Sequence, residues 1–218
     1  MTRRTTTSGC LIVIFLVAFS SCSSDNDGTT LAQKYANAFR DALGKLETQM
    51  DNTISAYSEA EKARGAAHEI SFKYRDPRTE AFIRRWSQAE LEAKSLQDRI
   101  DSTIEAADFF LVYCEYKAQS IHDIALRSRT VEAVETKRNQ LIPVIRRVID
   151  GKRPLDQAMQ NGRDLISAIE VSGALQEVTS KSKAFDLAIA ESLRLMPELK
   201  ALLEEGRELL DAEMKPLE

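Results

Sequence analysis

Residues 100–125 read IDSTIEAADFFLVYCEYKAQSIHDIA, and the apolar positions Ile100, Ile104, Ala107, Leu111, Cys114, Ala118, Ile121 and Ala125 recur in alternating steps of four and three. A mean step of 3.5 residues is the repeat of a left-handed coiled-coil seam, because it keeps one stripe of a helix turned toward a partner helix. Within the seam, Phe109-Phe110-Leu111-Val112-Tyr113-Cys114 is apolar around the whole helix circumference. A helix apolar on every side is expected to be covered on several sides, so this level is read as the one where most helices meet. Cys114, on the seam, reads as a small buried hydrophobe.

The same pattern extends in both directions. No Gly or Pro occurs in the 65 residues from Arg78 to Ile142, and Asp76-Pro77 before them is a helix start signal. Upstream, Leu31, Tyr35, Phe39, Leu43, Leu46, Met50, Ile54, Tyr57 and Ala60 lie on one face of a single helix that fades near Gly65–Glu69. Downstream, the seam extrapolates onto the polar Ser128, Glu132, Glu135 and Asn139, whereas the apolar residues are Val131, Val134, Leu141, Ile145 and Val148. This slip of phase places a break at 128–130, where Ser128 or Thr130 can cap a new helix. Asp150-Gly151-Lys152-Arg153-Pro154 reads as a stop and restart, and Ser172-Gly173 and Pro197 are weak points of the last segment.

Counted from Lys152, the break at Arg129 lies 23 residues back and Gly173 lies 21 residues forward. This near-equality predicts a two-helix hairpin over 130–172. The expected fold is all-α: an elongated antiparallel bundle of three long helices, over 30–68, 77–128 and 174–214, with the hairpin as an extension and coiled-coil-like packing. Residues 30–218 are read as one helical domain. Composition agrees, since 8 Gly and 5 Pro in 218 residues are too few for the many turns of a β-sandwich or an α/β fold.

The first residues have another character. Arg3 and Arg4 precede an unbroken apolar run from Leu11 to Phe19, followed by Ser20, Ser21 and Cys22. This is the order of parts of a signal peptide, and the run is too short for a membrane-spanning helix of roughly 20 residues. The stretch Phe19-Ser20-Ser21-Cys22 resembles the lipobox of bacterial lipoproteins, with Phe19 where Leu is usual. The resemblance implies a signal peptide over 1–21, lipid on Cys22, a polar tether over 22–29, and a place in the cell envelope. In a Gram-negative cell that would be the periplasmic face of the outer membrane or the cell surface. Ordinary cleavage after Ala18-Phe19-Ser20, giving a secreted soluble protein, is the alternative. Loss of residues 1–21 removes Arg3 and Arg4 and no acid, leaving 28 basic against 34 acidic groups, a formal charge of −6 where the whole chain has −4. A net acidic chain gives no electrostatic footprint for nucleic acid.

Side chains suited to chemistry are sparse. His68 and His122 sit in neither a Glu-x-x-His nor a His-Glu-x-x-His pattern, and no glycine-rich phosphate cradle or nucleophile elbow is found. The carboxylates alternate with bases along the helices, as in Glu90-Leu91-Glu92-Ala93-Lys94, which is the pattern of a solvated face. No catalytic residue, metal ligand or cofactor is assigned, and the chain is read as a non-enzyme.

Two recognition features stand out. The connection Phe72-Lys73-Tyr74-Arg75 sets aromatic and cationic groups at one bundle end, making Phe72 and Tyr74 candidate partner contacts; covering the helix ends is their structural alternative. Arg146, Arg147, Lys152 and Arg153 gather at the expected hairpin tip, a candidate contact for an anionic surface. The expected function is a protein-binding or scaffolding module on a membrane-anchored envelope lipoprotein, with another envelope protein as partner. A periplasmic chaperone or pilotin-like carrier, with a seam-lined groove open to a client helix, is the alternative; a metal-dependent bundle enzyme ranks below it.

Overall fold

The computed structural model describes residues 31–171 and 175–211. The expected signal peptide 1–21, Cys22, the tether 22–29 and the weak point at Ser172-Gly173 lie outside the described residues. Those residues form five α-helices and no strand: α1 (Leu31–His68), α2 (Pro77–Gln119), α3 (Ile124–Asp150), α4 (Lys152–Val171) and α5 (Leu175–Asp211). The all-α reading is thereby met. The chain divides into two compact units, one holding residues 45–101 and 147–202, the other, among the described residues, 31–44, 102–146 and 203–211.

In the first unit, four helical segments pack antiparallel in a ring. Between α1 and α2, Thr53 Oγ1 donates to Glu92 O at 3.2 Å, Tyr57 stacks on Trp86 at 6.0 Å, and Glu59 pairs with Arg85 at 2.8 Å. Between α2 and α4, Asp101 meets Lys152, Gln97 meets Asp156, and Glu90 meets Arg163. Asp164 of α4 pairs with Lys181 of α5, and the ring closes from α5 to α1 through Asp186 with Arg64 and Lys200 with Asp51. Inside lies an aromatic core. Phe185 meets the edges of Trp86 and Phe82 at 4.9 and 5.8 Å. Trp86 is so close to the α4 backbone that a Cβ on Gly162 would stand 2.0 Å from its Cε2 atom, so the glycine is required by a close approach. Tyr57 is wholly buried, and burial, followed by the charges of Asp156 and Glu90, pushes its phenol well above the usual tyrosine range.

In the second unit, α1 meets α2 through Tyr35–Tyr113 at 5.0 Å and Phe39–Phe110 at 6.4 Å, and Arg138 of α3 pairs with Glu115 of α2. Lys137 of α3 donates to Leu209 O of α5 at 2.9 Å. The seam residues Ala107, Leu111, Cys114 and Ala118 are buried, Cys114 with a reduced thiol.

One boundary expectation is corrected. The break after α2 falls at residues 120–123, ahead of 128–130. Asp123 caps α3, its Oδ1 accepting from Leu126 N at 2.8 Å, while its carbonyl accepts from Arg127 N at 2.8 Å. The helical seam therefore ends at Ala118; Ile121 falls in the break, and Ala125 belongs to the next helix and is exposed. The hairpin over 130–172 is not shown as a unit of its own. Residues 130–146 belong to one unit and 152–171 to the other, each a member of its own four-segment cluster. Gly151 N donates to Arg147 O at 3.1 Å and so closes α3, and Pro154 sits in the first turn of α4, where its missing N–H costs nothing.

Candidate functional site

The connection of α1 to α2 is built by closing one helix and opening the next. At the end of α1, Phe72 N donates to Ala67 O at 2.9 Å and Ser71 N to His68 O at 2.8 Å. These are the two bonds of a Schellman closure, with Ser71 at the left-handed position that glycine usually fills. Ser71 has φ 56°, and Phe72 and Arg75 follow at 52° and 60°. Three non-glycine residues in left-handed conformation within five positions are costly, each by about 1–2 kcal/mol, and stand only where the surroundings fix them.

Phe72 supplies part of that fixing. It is 5 % exposed, with its ring against His68 at 5.8 Å and Phe82 at 6.1 Å, at the end of the aromatic core. Asp76 supplies another part as the cap of α2: its Oδ1 accepts from Arg78 N at 2.9 Å while Pro77 occupies the first helical position. Between these anchors Tyr74 is turned outward, 59 % exposed, and the Arg75 guanidinium lies 5.3 Å from its ring centroid. Lys73 and Arg78 are exposed beside it. The two aromatic residues named together from sequence thus separate: Phe72 covers the helix ends, and Tyr74 with Arg75 forms a held cation–aromatic pair facing solvent. No local signal in the sequence marks the left-handed Ser71, since the chain spends no glycine there.

The basic cluster is arranged differently from its expectation. Gly151 is buried, with a Cβ there 2.8 Å from Leu199 Cδ1. Lys152 Nζ lies 2.8 Å from both Asp101 carboxylate oxygens, while Arg146, Arg147 and Arg153 are exposed.

A groove of about 300 Å³ runs between α1 and α2, lined by Asn52, Ser55, Glu59, Arg85, Gln88 and Glu92. Its polar groups bond one another, Arg85 to Glu59 at 2.8 Å and Gln88 to Glu92 at 2.9 Å. Among the described residues no group of three or more His, Cys, Asp or Glu side chains is gathered for a metal, and no helix is long and apolar enough to cross a membrane.

One further surface departs from expectation. The apolar run 109–114 is covered on one side only. Phe110, Leu111 and Cys114 are buried, but Phe109 and Val112 are each 62 % exposed and Tyr116 is 66 % exposed. The spacing 109, 112, 116 puts the three on one helical stripe. That spacing was visible beside the seam; a helix apolar all round can equally have one face toward a different medium.

Comparison of the chain with known protein families, with curated proteins and with solved structures finds no match.

Proposed function

We propose that this protein is a lipoprotein of the bacterial cell envelope, held to a membrane through lipid on Cys22, whose helical body binds another envelope protein. The order of parts in residues 1–22 supports the anchor. The observation that carries the binding role is the Tyr74–Arg75 pair, presented on a turn that is fixed on both sides and built from left-handed non-glycine residues. Tyrosine and arginine are the residue types that dominate binding energy at protein interfaces, and a pre-formed loop loses little entropy on docking. Lys73, Arg75 and Arg78 give the surface a cationic character that fits an acidic patch on the partner.

A carrier or chaperone would need seam residues open to a client helix. The burial of Ala107, Leu111, Cys114 and Ala118 favours the binding module over that reading. A metal-dependent enzyme would show stoichiometric metal on elemental analysis of the purified chain.

The test is affinity capture from detergent-solubilised envelope with the full chain as bait, beside Tyr74→Ala/Arg75→Ala and Cys22→Ser variants. A reproducible partner lost with the loop variant supports the reading; a partner retained at full yield counts against the loop. Cys22→Ser should move the chain from the membrane to the soluble fraction, and unchanged fractionation would count against the anchor.

A further inference from the structure

The exposed stripe Phe109, Val112 and Tyr116 lies in the last turns of α2, in the unit where α1 begins. The Tyr35–Tyr113 contact at 5.0 Å sets the first turn of α1 beside those same turns. If Cys22 carries lipid, eight residues separate it from Leu31, and a chain of that length reaches at most about 30 Å, so the start of α1 stays within that distance of the anchoring lipid. We infer that this stripe rests on the phospholipid bilayer that holds the anchor.

The chemistry of the surface suits that occupant. An aromatic and aliphatic stripe enters the boundary between headgroups and acyl chains, and tyrosine is at home there because its ring is apolar and its hydroxyl stays wet. Lys117, 5.7 Å from the Tyr113 ring centroid, stands in the same turns as a cation for lipid phosphates. Of the acids in these turns, Glu115 pairs with Arg138 and Asp123 caps α3, while Glu105 and Asp108 are exposed one turn ahead of Phe109 and Val112, where the stripe leaves the bilayer for solvent. Neither anchor nor stripe need hold alone, since stable membrane attachment generally combines two signals.

The inference rests on the lipid at Cys22, and the experiment separates the two. The full lipidated chain, purified in detergent, is reconstituted into phosphatidylethanolamine–phosphatidylglycerol vesicles carrying an acyl-chain nitroxide. A Val112→Cys variant bears an environment-sensitive fluorophore, Cys114 being too buried to label, and Glu205→Cys, on the exposed face of α5, is the reference. Flotation with the vesicles and quenching several-fold stronger at 112 than at 205 are expected. Flotation with equally weak quenching at both sites overturns the bilayer contact while leaving the anchor standing. Flotation without quenching, but with unlabelled Val112→Cys chains cross-linking to one another, gives the stripe to a second copy and likewise overturns it. Failure to float overturns the anchor and the inference with it. A label at Tyr116→Cys carries the same test should Val112→Cys not fold.

Discussion

At Ser71 a single Cβ sits where the closure of α1 calls for glycine. Its φ of 56° implies that Ser71→Gly stabilises the protein by about 1 kcal/mol, a gain read as a higher urea midpoint at unchanged slope. The helical glycines sort by what a new methyl would meet. At Gly44 nothing lies within 4 Å, so Gly44→Ala should stabilise by about 1 kcal/mol through helix propensity alone. At Gly162 the same methyl would stand 2.0 Å from Trp86 Cε2, and no propensity gain offsets that overlap. Gly162→Ala is expected to destabilise by about 1–3 kcal/mol and to shift the emission of Trp86, the only tryptophan. Stabilisation by Gly162→Ala would contradict the packing described for the aromatic core. Tyr74→Ala, by contrast, removes an exposed ring and should change stability by less than about 0.5 kcal/mol, so that a loss of partner capture cannot be ascribed to unfolding.

At the scale of elements, two carboxylates that tie α5 to its neighbours titrate in opposite directions. Hydrogen bonds from Lys181 and then Gln160 hold Asp164 below the usual carboxylate range, so its share of stability is present at neutral pH and is lost as pH falls through its folded value. Burial raises Asp186 against the opposing pull of Arg64, so its folded state takes up a proton before the unfolded state does, and acidification through that window adds stability. In urea midpoints measured from neutral pH down through the carboxylate range, Asp164→Asn should make the acid loss shallower and Asp186→Asn should make it steeper. A common direction for both would refute the assignment. Helix starts at Pro77 and the end of α1 near Gly65 were legible because proline, aspartate and a fading stripe mark them locally. The break at 120–123 was obscured because Ile121 and Ala125 continue the heptad across it, although Asp123 already stood there as a cap. The supposed hairpin rested on two equal distances from Lys152; Gly151 and Pro154 are as compatible with a helix that bends as with one that reverses, and only packing decides. In the loop, aromatic character was legible, but the division into a buried Phe72 and an exposed Tyr74 depends on left-handed conformations that leave no mark in composition.

At the scale of the molecule, the distribution of large buried side chains among the described residues is uneven. Of the twelve largest that are fully buried, only Leu141 belongs to the unit of residues 31–44, 102–146 and 203–211; Trp86, Tyr57, Phe82, Phe185 and seven others belong to the unit of 45–101 and 147–202. Fully burying one such side chain contributes about 1.5–3 kcal/mol before entropy is set against it, so the aromatic unit has by far the larger apolar reserve. Helices α1, α2, α3 and α5 each have residues in both units, so loss of one unit removes part of a helix rather than a whole one, and far-UV circular dichroism records it as a fractional loss of signal. Trp86 emission reports the aromatic unit alone. Urea unfolding should therefore begin in circular dichroism at a lower concentration than in Trp86 fluorescence, with amides of 102–119 and 124–146 exchanging ahead of those of 77–101 and 152–171. Leu141→Ala should widen the interval between the two transitions by lowering only the first, and Leu165→Ala should narrow it by lowering the second. Superposable transitions in both probes, for the wild-type chain and for both variants, would mean that the shared helices couple the two units into one cooperative system in spite of their unequal cores.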